Sequence, residues 1–180
     1  MGENIGVRFI HRIATGKPIY RKLMTPVGPL VFFGLVALFV LAARRTDQWL
    51  GLGMSGLEPW NTRLSRPFML GGLFFTIWSA SYFIRARGTP VPFNPPPKLV
   101  ISGPFAWTRN PMMTGLFSVL FGLALRLGSW SLLGFYLPFF VALICLELKM
   151  VEEPGLEKRF GEVYRDYRSR TPMFFPWQKP

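Results

Sequence analysis

Apolar positions in this chain come as long uncharged runs separated by short charged segments. Thr25–Ala43 is 19 residues and Pro67–Ile84 is 18. As helix, each would be about 27–28 Å long at ~1.5 Å per residue, enough to cross a hydrocarbon core. Asn110–Leu125 is 16 residues, short for a crossing, and Leu127–Leu146 is 20. Between the last two stand Arg126 and the turn-like Gly128-Ser129-Trp130-Ser131. The second half therefore reads as a tight helical hairpin, Pro111–Leu127 and Ser131–Met150. Pro138 should kink its second helix, because proline removes a backbone donor and crowds the preceding turn.

The pattern predicts an all-α integral membrane protein of about four transmembrane helices, with a C-terminal helical hairpin, a long loop before it and short interfacial helices. Residues 1–24 form an N-terminal interfacial segment, 25–84 carry the first two transmembrane helices, and 85–180 form the remaining core. In the first segment Ile5, Phe9, Ile10 and Ile13 recur at helical spacing with Arg8 and Arg12 between them. Near the C-terminus Leu156, Phe160, Val163, Tyr164 and Tyr167 share a stripe opposite Glu157, Arg165 and Arg168. Both fit basic amphipathic helices on the membrane surface, and equally helices docked on the bundle. No cleavable signal peptide and no internal repeat is visible, which disfavours a transporter built of inverted repeats.

Composition agrees. Half the chain is apolar and only 17% is charged, which excludes intrinsic disorder. The net charge of +12 fits basic loops that set orientation and meet anionic headgroups, so no nucleic-acid partner is expected. Fifteen Lys and Arg flank one side of a four-span topology and five the other, which predicts cytoplasmic termini and a multi-pass membrane location. A lone Cys145 and a lone His11 leave no disulfide framework, no metal cluster and no Ser/His/Asp set.

Three features could carry chemistry. The stretch 85–111 holds six prolines before Pro111, so it is extended loop, and long ordered loops are often functional. At its end Arg109 and Asn110 stand before Pro111, a favoured first helical residue. A helix N-terminus beside an arginine suits a carboxylate, and Gly115 admits a close backbone or flat ring; equally, Arg109 is an interface anchor and Gly115 a packing notch. The third feature is acidic: six of the nine acids lie in 147–166. Glu147, Glu152 and Glu153 oppose the macrodipole at a helix C-terminus, which points to a cationic or ribose-bearing ligand, while Lys149 offers Glu147 a structural ion pair.

The order Lys98-Leu99-Val100, Gly103-Pro104-Phe105, Arg109-Asn110-Pro111 and Gly115, then a hairpin, then Glu152-Glu153, Phe160-Gly161, Tyr164, Tyr167 and Pro172, resembles the isoprenylcysteine carboxyl methyltransferase and phospholipid methyltransferase superfamily of integral membrane enzymes. The likeness covers roughly residues 85–176. It implies an S-adenosyl-L-methionine-dependent methyltransferase that releases S-adenosylhomocysteine and acts on a lipophilic small-molecule or lipid acceptor among membrane lipids. The implied cofactor-binding residues are Lys98, Leu99, Val100, Gly103, Phe105, Arg109, Asn110, Pro111, Met112, Met113, Gly115, Glu152 and Glu153. Leu99 and Val100 would face the adenine, Asn110 would donate to the methionine carboxylate, and Glu152 matches the family's cofactor-binding glutamate. Catalytic roles fall to Glu147 and Arg109.

Several positions depart from the family pattern. Phe105 and Met113 stand where tyrosines are usual, Asn110 replaces a histidine, and Leu148 replaces an arginine thought to grip a prenylcysteine carboxylate. The acceptor atom is therefore expected to be uncharged or cationic, with Trp78, Phe117 and Phe121 as candidate lining. A phospholipid amine, a thiol, and an NADPH-dependent sterol-type reductase with a related C-terminal half are the alternatives.

Overall fold

The structure is a computed structural model that describes residues 18–54, 56–86 and 96–174, with side chains from residue 27 onward. The N-terminal amphipathic stripe, with His11, lies outside the described residues. Four long helices carry the fold: α1 Pro18–Leu50, α2 Trp60–Arg85, α3 Pro111–Leu127 and α4 Leu132–Phe160. A short α5, Glu162–Arg170, follows. Among the described residues the only β feature is an isolated bridge between Gly53 and Ser129. The helices α1, α2 and α4 are long and apolar enough to cross a membrane, and α3 is a shorter apolar helix of 17 residues. The protein is an integral membrane protein.

The four expected apolar helices are all present, and α1, α2 and α4 run well beyond the uncharged runs. Apolar runs mark the hydrocarbon-facing stretch, whereas helices continue until backbone chemistry stops them. Gly51, at φ 65°, follows the end of α1, and Gly128, at φ 61°, caps α3 in the left-handed conformation. At its start α3 has Pro111, whose missing N–H would be unpaired there anyway.

In α4 a different rule operates. It contains two π turns, Leu132–Tyr136 and Leu148–Glu152, and each stands two residues before a proline, Pro138 and Pro154. Proline cannot donate to the fourth residue behind it, and its ring crowds that carbonyl. A turn closed five residues back, as from the Leu137 N–H to the Leu132 carbonyl, takes up both defects. The helix thus runs past the expected stop at Met150 to Gly161, whose φ is 54°.

Packing between α2 and α3 is the most extensive helix–helix contact. Ser65, Gly72 and Ser79 recur every seventh residue on α2 and are all buried, with Ser65 facing Gly122 and Gly72 facing Gly115 of the antiparallel α3. A Cβ on Gly72 would sit 2.5 Å from the Gly115 carbonyl oxygen, and one on Gly122 would sit 2.8 Å from that of Ser65. Small residues let the two backbones approach where burying apolar surface gives little drive, because lipid is equally apolar. Ser118 adds a hydrogen bond across the pair, its hydroxyl donating to the Phe68 carbonyl at 2.9 Å.

Phe117 and Leu120 of α3 pack on Leu137 and Phe140 of α4, with Phe32, Val36 and Phe39 of α1 closing the cluster. Leu30, Leu35, Leu38 and Leu41 of α1 and Leu70, Phe74 and Ile77 of α2 point outward and are exposed. An outer surface this apolar suits a lipid solvent.

At one end of the bundle, Asp47 of α1 accepts hydrogen bonds from the Ser129 hydroxyl and, at 2.9 Å, from the Ser131 N–H. This ties α1 to the start of α4 and satisfies donors that a helix N-terminus leaves open. The site lies at the opposite end.

Candidate functional site

The loop before α3, the first turn of α3, the last turns of α4, α5 and residues 171–174 meet at one end of the bundle. Arg109 is the centre of that meeting. Its Nη1 donates to the Glu153 carboxylate, and the two side chains are 13% and 12% exposed. The Tyr164 hydroxyl, 2% exposed as a residue, lies 3.5 Å from the same nitrogen. On the outer side Arg168 stands 3.7 Å from Glu153 and 3.6 Å from Glu157. The Nε of Arg109 is buried and has no hydrogen-bond partner among the described residues.

The second π turn decides which carboxylate faces Arg109. It inserts one residue into a turn, which advances everything beyond it by about 100° of helix rotation. Glu153 thereby turns inward, whereas Glu147 and Glu152 are exposed. Among the described residues neither of those two acids has an ion-pair partner, so the Glu147–Lys149 pair that sequence spacing allowed does not form.

The loop carries a short 3₁₀ turn, Gly103–Ala106. Gly103 has φ +62°, and a Cβ there would meet the Tyr82 ring, with Cε1 at 2.6 Å. The buried Phe105 packs edge-to-face on Phe83 at 5.1 Å, and its carbonyl accepts the Tyr167 hydroxyl at 2.6 Å. Burial pushes the Tyr167 phenol well above its usual range. The Tyr164 phenol is also raised, by burial first and the Glu153 charge second, against the lowering effect of Arg109.

Residues 171–174 form a strap across the start of α3. The Arg109 and Asn110 N–H groups donate to the Pro172 and Met173 carbonyls at 2.9 and 3.2 Å. The Thr114 hydroxyl reaches the Phe174 carbonyl at 3.1 Å, and the Phe174 ring packs on Phe117 at 5.2 Å. No side chain caps the first turn of α3.

The structure thus gathers Gly103, Phe105, Arg109, Asn110, Pro111 and Glu153. Leu99 and Val100 are half-buried in the approach to this loop, and Lys98 is exposed. Met113 packs against the apolar core, and Gly115 serves as the packing notch, facing Gly72 and Thr76. Met112 is half-buried, its carbonyl 3.4 Å from the Thr76 hydroxyl. Phe117 is core, Phe121 packs on Phe68 at 4.7 Å, and Trp78 stands edge-to-face on Trp107 at 5.8 Å.

The C-terminal stripe does not lie on a surface as one helix. Gly161 breaks it, and Tyr164 and Tyr167 turn inward onto the loop, so α5 is docked. The roles of Tyr164, Tyr167, Thr108 and the strap were not assigned from sequence. The inward aromatic pair on a charged helix was their one visible signal. A hollow of about 250 Å³ lined by Leu41, Arg44, Arg45 and Gln48 lies at the other end, remote from these residues.

A family model for phospholipid methyltransferase matches residues 60–163. The chain belongs to the phospholipid methyltransferase family. A comparison with curated proteins finds no significant match. The phospholipid methyltransferase match begins at Trp60, one helix earlier than the motifs in 85–176, and so takes in α2. In the structure α2 is the helix against which α3 packs most extensively. Membership makes the chain a membrane methyltransferase of the phospholipid and isoprenylcysteine kind.

Proposed function

We propose that this chain transfers a methyl group from S-adenosyl-L-methionine to a lipophilic acceptor that enters from the bilayer. The observation that carries the reading is Arg109, at the uncapped start of α3, whose buried Nε has no partner among the described residues. A buried guanidinium N–H without an acceptor is costly, and a carboxylate ligand would satisfy it. The residues fit the amino-acid end of the cofactor: Arg109 and the α3 N-terminus for its carboxylate, exposed Glu147 and Glu152 for cationic or hydroxyl groups. When bound, the cofactor supplies an electrophilic methyl on a sulfonium.

The protein's part is then positioning and water exclusion, which in-line displacement needs more than acid–base machinery. The Arg109–Glu153 pair, the Tyr167 bond to Phe105 and the strap hold the loop and helix start in one geometry. Leu148 is buried at 3% exposure, so no cation stands at that position to hold an acceptor carboxylate. This supports an acceptor that is uncharged or cationic, with Glu147 as the group to accept a proton or pair with an amine.

S-adenosylhomocysteine should raise the unfolding temperature of the detergent-solubilised protein, and NADPH should not. Stabilisation by NADPH alone would favour a reductase and sink the reading. The orientation follows the charge asymmetry, with both termini and the site cytoplasmic. Cysteines placed at Leu57 and Ser169 should label from opposite faces of sealed vesicles; labelling of Ser169 from outside the cell would reverse that assignment.

A further inference from the structure

We propose that Thr108 is a positioning residue that makes the Asn110 carboxamide available to a carboxylate ligand. The inference rests on the methyltransferase reading of this site and deepens it. Three donors converge on the Met173 carbonyl of the strap: the Thr108 hydroxyl at 2.7 Å, the Asn110 N–H at 3.2 Å and the Asn110 Nδ2 at 3.3 Å. A carbonyl oxygen has two lone pairs, so one donor is surplus.

The longest of the three is the Asn110 side chain. It belongs to a half-buried side chain, which can swing without moving backbone, whereas the Thr108 side chain is enclosed. Thr108 is 1% exposed, and its hydroxyl oxygen also lies 3.3 Å from the Asn110 N–H. With Thr108 and the Asn110 N–H in place, the Met173 carbonyl stays satisfied when the carboxamide leaves for a ligand. Without the Thr108 hydroxyl, releasing the carboxamide strips this half-buried carbonyl of its second donor, and the ligand must compensate for that loss. The strap itself stays put through the Arg109 N–H bond to Pro172 and the Phe174 ring on Phe117.

The test is the affinity of S-adenosylhomocysteine for the full chain in detergent, by calorimetry, with the unfolding temperature of each unliganded variant alongside. Thr108→Val should weaken binding about ten-fold, the scale of one lost hydrogen bond, and Thr108→Ser should restore it. Asn110→Ala should also weaken binding, and Thr108→Val should add nothing in that background, because Thr108 acts through Asn110. If Thr108→Val does not fold, Thr108→Cys, a far weaker donor, carries the same comparison. Unchanged or tighter binding by a folded Thr108→Val protein would overturn the inference, as would additive losses in the double variant. Wild-type protein that fails to bind S-adenosylhomocysteine at all would overturn the functional reading itself, a different result from equal binding by wild type and variant.

Discussion

Replacing Glu153 by Gln removes the negative charge facing Arg109 while keeping the side-chain shape and one acceptor oxygen. Both side chains are nearly buried, at 13% and 12% exposure. Two unit charges in contact at ~4 Å attract by about 4 kcal/mol at an effective dielectric of ~20, before the cost of desolvating them. The exposed Arg168, 3.7 Å away, is screened by water and adds under about 1 kcal/mol. In the variant Arg109 keeps a neutral acceptor and the Tyr164 hydroxyl, so the loss is that of a charge-assisted hydrogen bond, about 2–3 kcal/mol. For a chain of 180 residues this corresponds to a fall of about 5–10 °C in unfolding temperature, read from the fluorescence of its 6 tryptophans. The coupling makes the test sharper. Each single variant leaves one charge facing a neutral amide, Glu153 in Arg109→Gln and Arg109 in Glu153→Gln, but the double variant leaves neither. It should be more stable than the summed single losses require, by about 1 kcal/mol or more. A Glu153→Gln protein that unfolds within about 1 °C of wild type, or strictly additive losses, would refute a structural ion pair at this position.

Gly72→Ala should cost about 1–3 kcal/mol, since the new Cβ would stand 2.5 Å from the Gly115 oxygen and 2.8 Å from the Val119 nitrogen, both backbone. Unaltered thermal unfolding would mean that α2 and α3 separate freely. Asp47→Ala strips acceptors from Ser129 and Ser131, so the unfolding temperature should drop by the equivalent of about 1–2 kcal/mol. Because Asp47 lies at the far end, a matching loss of S-adenosylhomocysteine affinity would contradict the placement of the site. Burial raises the Tyr164 and Tyr167 phenols in the folded state, so their contribution is complete below the unfolded value near pH ~10 and is lost as pH rises past it. Unfolding temperature should therefore fall between about pH 9 and 11 more steeply in wild type than in Tyr167→Phe; parallel curves would count against it.

The membrane class, the number of apolar helices and the hairpin were legible in the sequence because each depends on local quantities. Run length decides whether a helix can cross a hydrocarbon core, and Pro111 and Gly128 mark the ends of α3 by backbone chemistry alone. The cluster of Arg109, Asn110 and the acids after α4 was legible too, since charges that oppose a macrodipole or interrupt an apolar run stand out without a structure. What the sequence left open was which partner each group meets. Glu152 and Glu153 are adjacent and chemically identical; a π turn imposed by Pro154 rotates Glu153 onto Arg109 and leaves Glu152 outside. Gly115 could have been a ligand notch or a packing notch, and only the antiparallel approach of Gly72 makes it the latter. The strap is decided by tertiary structure entirely, because its backbone carbonyls carry no residue signature and become specific only where Thr108 and Asn110 converge on Met173.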